Sequence, residues 1–259
     1  MAGLYATPHG EGHPVLVLHG GGLDHRHMLD AVEPVFEHRS GFQRVYVDLP
    51  GHGRSHGPDI RSQDDVVAAV RSFCDDRFDT PFAVVGESRG SLIARALVSE
   101  MPERLSGVCL LVPGGDTPSS EKPAHQILVS APEVRETLPE AAIARFDRLV
   151  VQSSATAQKI MDTKLPANEL ADPEIAERLQ ASFMPSSPLE AAPFDKPSLI
   201  ISGRQDAIAG FADGIAIQNT YPRATFAILD TAGHSLAWER PALFEALMHD
   251  WLDRLNAAL

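Results

Sequence analysis

The sequence predicts an α/β fold: a mostly parallel, doubly wound sheet with helices on both faces. Three observations point there. Short runs such as PVLVLHG (14–20) are apolar at nearly every position, as strands buried on both faces require. These runs alternate with segments of helical periodicity, the pattern of strand–helix–strand units. The stretch VVGESRGSLIA (84–94) passes directly from an apolar run into a helical one through Gly86-Glu87-Ser88-Arg89-Gly90.

Taken in order, PVLVLHG (14–20) predicts one buried strand and RVYVDLPG (44–51) the next. DDVVAAVRSFCDDRF (64–78) predicts an amphipathic helix, because Val67, Val70 and Cys74 recur at three- and four-residue steps. Strand PFAVVGE (81–87), helix SLIARALVSEM (91–101) and strand LSGVCLLVP (105–113) follow, and then PSLIISG (197–203) and ATFAILD (224–230). The last helix begins at Pro241, a residue suited to a first turn, and carries Leu243, Leu247, Trp251 and Leu255 on one face.

Residues 114–193 lack any strand pattern and are rich in proline. Helical pieces are expected at PEAAIARFDRLVVQ (139–152) and DPEIAERLQASF (172–183), the second with Asp172 as N-cap and Pro173 in the first turn. The expected organisation is a core of residues 1–113 and 194–259, with 114–193 a helical cap laid over one end of the sheet.

Size and composition set limits on function. A chain of 259 residues suffices for one α/β domain with an inserted subdomain. With 22 Lys+Arg against 35 Asp+Glu, the net charge is −13, which disfavours nucleic acid and anionic membranes as partners. A cleft can differ from that average, so the charge does not define a substrate. Cys74 and Cys109 lie in apolar surroundings and read as reduced, buried thiols. The N-terminus has no basic region followed by an apolar core, and no apolar run approaches the roughly 20 residues of a membrane span. The expectation is a cytoplasmic protein.

Ser88 carries the chemistry. A serine at a strand-to-helix turn projects from the carboxyl edge of the sheet, where open α/β folds bind ligands. It also sits at a helix N-terminus, whose N–H groups favour developing negative charge. Side chains two residues to either side would collide with neighbouring backbone, and Gly86 and Gly90 remove that collision. The pattern is that of a nucleophile elbow, with Ala94 permitting close packing behind it; the competing reading is a structural turn.

A serine nucleophile needs a base, and the base needs an orienting acid. LDTAGHSLAW (229–238) places His234 on the loop after the last strand, and LIISGRQDAIAG (199–210) places Asp206 directly after the strand before it. The order Ser88, Asp206, His234 is that of the α/β-hydrolase triad. Asp116, in LVPGGD (111–116), is a rival acid. For an oxyanion hole, one N–H is expected from Arg89, and a second from HGGGLDH (19–25), at Gly21 with Gly22 the next choice.

VLHGGG, DLPGHGRS, GESRG, GRQD and AGHS together resemble the α/β-hydrolase superfamily in the order of its strand-end motifs. Within it the chain looks most like small bacterial carboxylesterases and the hydrolases that cleave carbon–carbon bonds in meta-cleavage products. The resemblance implies a serine hydrolase acting on a small-molecule ester or acyl substrate through an acyl-enzyme, with no cofactor and no metal. It places the variable cap after the family's sixth strand and makes DLPGHGRS a structural turn after the fourth, so His52 is not expected to be catalytic. C–C cleavage of diketones and a non-catalytic small-molecule receptor remain alternatives, as do lyases and cofactor-free perhydrolases. Ser88 argues against the epoxide hydrolases and haloalkane dehalogenases, which use a carboxylate there.

Two departures stand out. The strand at 15–19 begins so early that the family's first strands must be shortened or missing. Arg89 follows the nucleophile where the family more often has an uncharged residue. It is a candidate to bind a substrate carboxylate; the competing reading is a salt bridge with Glu87 or a cap carboxylate. Phe146, Met161, Phe183 and Met184 are candidates to line an apolar pocket, or equally to pack cap against core. DHRH (24–27) lacks the partners of a closed metal shell and reads as a solvated or entrance-lining segment. No nucleotide-binding glycine loop is present.

Overall fold

The computed structural model describes residues 3–57, 59–115 and 121–259. Seven strands form one sheet: β1 (Ala6–His9), β2 (His13–Leu18), β3 (Phe42–Val47), β4 (Phe82–Glu87), β5 (Leu105–Leu111), β6 (Ser198–Gly203) and β7 (Ala224–Leu229). Their order is β1-β3-β2-β4-β5-β6-β7. Only β1 runs antiparallel, pairing with β3; the rest form a parallel ladder. The helices are α1 (His25–Phe36), α2 (Gln63–Arg77), α3 (Arg89–Glu100), α4 (Pro132–Arg135), α5 (Glu140–Phe146), α6 (Ser154–Lys159), α7 (Leu165–Leu170), α8 (Pro173–Ala181), α9 (Ala212–Ile217), α10 (Leu236–Glu239) and α11 (Pro241–Asn256).

Strand pleating divides the core. Along β2, Leu16 and Leu18 join one cluster with Val67 and Val70 of α2 and Ile93 and Leu97 of α3. Val15 and Val17 point the other way, into a cluster with Met28 and Val32 of α1 and Trp251 and Leu252 of α11. Both faces of β2 are thus covered, which is why the strand is apolar throughout. The direction of strand succession reverses between β2 and β4. In such sheets the crevice at that reversal is where ligands bind.

Each strand read from the sequence is present, with no end displaced by more than four residues. β1 was not expected: four residues, ATPH, carry too little pattern, and pairing along the sheet edge makes the strand. Among the described residues it is the one strand before β2, and the helical segment follows the fifth strand in this chain's own count. α1 was also unforeseen. DHRH is not a solvated segment but its start: Asp24 is fully buried and caps the helix by accepting the Arg26 N–H at 3.0 Å, and His27 is buried.

Between β5 and β6 the described chain is helical. Asp172 caps α8 by accepting the N–H groups of Glu174 and Ile175. The helix expected over 139–152 stops at Phe146, and Val151 then forms a parallel bridge with Val129. α6 and α7 join through a π-helical turn, Ile160–Lys164. Pro166 supplies a reason, since its ring displaces and cannot hydrogen-bond the carbonyl four residues back, which loosens the ladder there. No described helix is long and apolar enough to cross a membrane.

Candidate active site

Ser88 stands between β4 and α3 with φ 54° and ψ −111°, a strained conformation for a residue with a side chain. The turn that imposes it is tight. A Cβ at position 86 would lie 2.2 Å from the Gly90 carbonyl oxygen, and one at position 90 would lie 2.3 Å from the Leu18 carbonyl oxygen. Only glycine fits either place, so β2, β4 and α3 close around the serine. Ser88 N–H is held by Leu111 O at 2.9 Å, and its carbonyl accepts from Leu92 N–H.

His234 and Asp206 arrive from adjacent strand ends. His234 Nδ1 and Asp206 Oδ2 are 2.8 Å apart. The other Asp206 oxygen accepts the N–H groups of Ile208 at 2.8 Å and Ala209 at 2.9 Å, and the side chain is fully buried. Burial alone would push the Asp206 carboxyl up, but His234 and the two N–H donors outweigh it and hold it below its ordinary range. Burial likewise disfavours a charged His234. The facing Asp206 carboxylate and its hydrogen bond, with Glu87 beyond, outweigh it and raise the imidazole above its ordinary value. Asp116, the rival acid, lies outside the described residues.

The loop after β2 is pinned by two histidines. Burial, with His52 alongside, pushes His19 down to about 3. As a neutral ring it donates from Nδ1 to Gly20 O at 2.7 Å and accepts Leu49 N–H at Nε2. His52 is also lowered by burial; it donates to Pro50 O and accepts Gly22 N–H at 3.1 Å. This corrects one expectation: the Gly22 N–H is already engaged and is not available to an oxyanion. No acceptor among the described residues takes the Gly21 or Arg89 N–H. His52 thus pins the glycine loop to the turn after β3.

Ser88 and His234 open into one cavity of about 750 Å³, lined also by Gly21, Gly22, Arg89 and Phe183 and by residues of α5, α7 and α8. Of the four apolar residues singled out for its wall, Phe183 alone lines it. Phe146 is fully buried among Ala142, Leu149, Ile160 and Trp238, an apolar cluster of its own. Met161 packs on that cluster and faces a different cleft, beside Val134 and Leu138. Met184 sits with Phe183 against Gly115 and is not part of the wall.

Arg89 is neither bridged to Glu87 nor to any other described carboxylate. Glu87 instead bonds His27 at 2.6 Å, an interaction that, against the cost of burial, draws its carboxyl down to about 2. Sequence reasoning missed this pair and also Glu239. One oxygen of Glu239 accepts Val150 N–H at 2.7 Å and the other accepts Gly233 N–H at 2.6 Å, tying the histidine loop to the segment between β5 and β6. It missed Asp48 as well, which accepts the N–H groups of His25 and Arg54 and faces His25 Nδ1 at 2.7 Å. Ligand-bearing atoms of Asp24, His25 and Asp48 lie within 4.8 Å of one another. Arg26, His25 and Arg54 already occupy those carboxylates, so the group reads as a structural network. Acids this distant in sequence give no local signal.

Residues 15–247 match the family model described as the Alpha/beta hydrolase family. The chain is 28% identical over 247 residues to the pimeloyl-[acyl-carrier protein] methyl ester esterase of Nitrosomonas europaea, covering 91% of this chain and 94% of that protein. It is 24% identical over 258 residues to the biotin biosynthesis bifunctional protein BioHC of Cellvibrio japonicus; that alignment covers 95% of this chain but spans only 49% of the relative. Among solved structures, an alpha/beta superfamily hydrolase from Oenococcus oeni PSU-1 superposes with a TM-score of 0.88 at 22% identity, covering 98% of this chain and 96% of that one, a likeness of fold.

Proposed function

The chain belongs to the alpha/beta hydrolase family, and we propose that within it this protein is a serine hydrolase that cleaves a small carboxylic ester through an acyl-enzyme. One observation carries the reading. Ser88, in a strained turn at a helix N-terminus, shares a cavity with His234, whose far nitrogen is held by buried Asp206. Strain of this kind persists only where the surrounding structure imposes it, and here the glycines on either side do so.

In this reading His234 Nε2 takes the Ser88 hydroxyl proton as the oxygen attacks the ester carbonyl. The Arg89 and Gly21 N–H groups receive the oxyanion; losing one such donor typically costs about 10²–10³ in kcat. His234 then protonates the departing alcohol, and a water, deprotonated by the same ring, releases the acid. Asp206 fixes the ring's tautomer and offsets its positive charge. The residues between β5 and β6 act as a cap that sets the substrate, on a core of 1–113 and 194–259. A cytoplasmic setting suits the two buried free thiols, Cys74 and Cys109.

The test is steady-state hydrolysis of p-nitrophenyl butyrate by the wild type and by Ser88→Ala. Turnover that falls to background in the variant is the expected result. Turnover that survives the substitution would remove Ser88 as nucleophile.

A further inference from the structure

The protein is strongly acidic overall, yet the cavity beside Ser88 is not. Among the described residues its wall carries Arg89, Lys122, Arg145, Arg148 and Lys164 against one carboxylate, Glu87, which is turned to His27. The hydrogen bonds of three of these cations go to neutral acceptors: Lys122 donates to the Ile208 carbonyl, Arg145 to the Asn168 side-chain oxygen, and Lys164, which also feels the Glu87 and Glu239 carboxylates, to the Ser235 hydroxyl.

Arg89 is the extreme case. The residue is 6% exposed, and its Nε has no hydrogen-bond partner. No described carboxylate forms an ion pair with it. The guanidinium lies against the backbone of Gly21, where a Cβ would come within 3.2 Å of Cζ, and 5.7 Å from the Phe183 ring centre. A guanidinium remains charged in a protein. A buried charge without a partner is costly unless something arrives to pair with it. Here the cavity that Arg89 shares with Ser88 offers the route.

We propose that Arg89 forms an anion subsite next to the nucleophile, so that the substrates are esters whose acyl part carries an ionised carboxylate, such as half-esters of short dicarboxylic acids. This rests on the serine-hydrolase reading for the bond cleaved, but the subsite stands on geometry of its own. The planar fork of Arg89 suits bidentate contact with a carboxylate. The other cations at the cavity raise the local concentration of anions despite the net negative charge of the whole.

The experiment compares monoethyl glutarate with ethyl pentanoate, equal in acyl length and differing in the terminal carboxylate, by pH-stat. Wild type is expected to prefer the half-ester by about 10–100-fold in kcat/KM, with the preference shrinking as salt rises. Arg89→Gln is expected to lose the preference and Arg89→Lys to keep part of it. Equal rates on both esters, or faster cleavage of the neutral one, overturn the subsite and leave the serine-hydrolase reading intact. If neither ester is cleaved, calorimetric titration decides. Glutarate that binds wild type where its neutral diamide does not keeps the subsite without the esterase reading, and glutarate that fails to bind overturns it. That arm needs no variant to fold.

Discussion

His234 is poised by its neighbours to be a stronger base than an ordinary histidine. Burial opposes its protonated form, but the Asp206 carboxylate 2.8 Å away, with help from Glu87, more than offsets this. As the proposed general base, His234 would act only when neutral, so activity should be lost as pH falls through the histidine's own value. Because that value is raised, the acid limb of kcat/KM should fall above the ordinary histidine value of about 6.5. Asp206→Asn removes the raising charge and should move the limb toward lower pH while cutting kcat by about 10⁴. A pH–rate series on both proteins checks it; a limb that stays in place would mean that Asp206 does not face the working base. The same logic separates this histidine from His19 and His52, which burial keeps neutral and which serve as pins for the glycine loop. In sequence the three histidines look alike. Only the position of His234 after the last strand set it apart.

The strand ends and the loops they launch bring the site together. Gly86 and Gly90 let β4 turn into α3 without a linker, and β6 and β7 deliver Asp206 and His234 side by side. These parts were legible because each is local: a strand, a turn and one chemically distinctive residue. Glu239 was not legible, since Val150 lies 89 residues away, and both it and the nearer Gly233 contribute only backbone N–H groups. Its carboxylate couples the histidine loop to the chain between β5 and β6. Glu239→Ala should leave two buried donors unpaired and destabilise the protein by about 2–4 kcal/mol, with Glu239→Gln costing less. Thermal unfolding of both variants measures it. An unchanged midpoint in Glu239→Ala would show that water replaces the carboxylate and that the tie is dispensable. α1 escaped the sequence reading for a related reason: its first turn is polar, and its buried His27 meets Glu87 through Nε2 only once the chain has folded.

For the whole molecule, an acidic surface surrounds a cavity whose charged lining is mostly cationic. Net charge gave no hint of this, because the five cations come from four separate places in the chain. The parallel sheet and its order of motifs were legible, since buried strands on both faces must be apolar and their loops must open at one edge. The wall of the cavity was not. Phe146 and Met161 have the apolar character of pocket residues, but the segment between β5 and β6 uses them to build its own small core. Sequence cannot separate those two uses of an apolar side chain until packing is known. What unites the molecule is the claim that a turn from β4, an acid from β6 and a histidine from β7 form one nucleophilic centre. Treating the protein with a fluorophosphonate and locating the adduct by peptide mass tests that claim without dependence on the right substrate. One adduct per chain, on Ser88 and much slower to form in His234→Ala, is the predicted result; no adduct, or one on another residue, would contradict it.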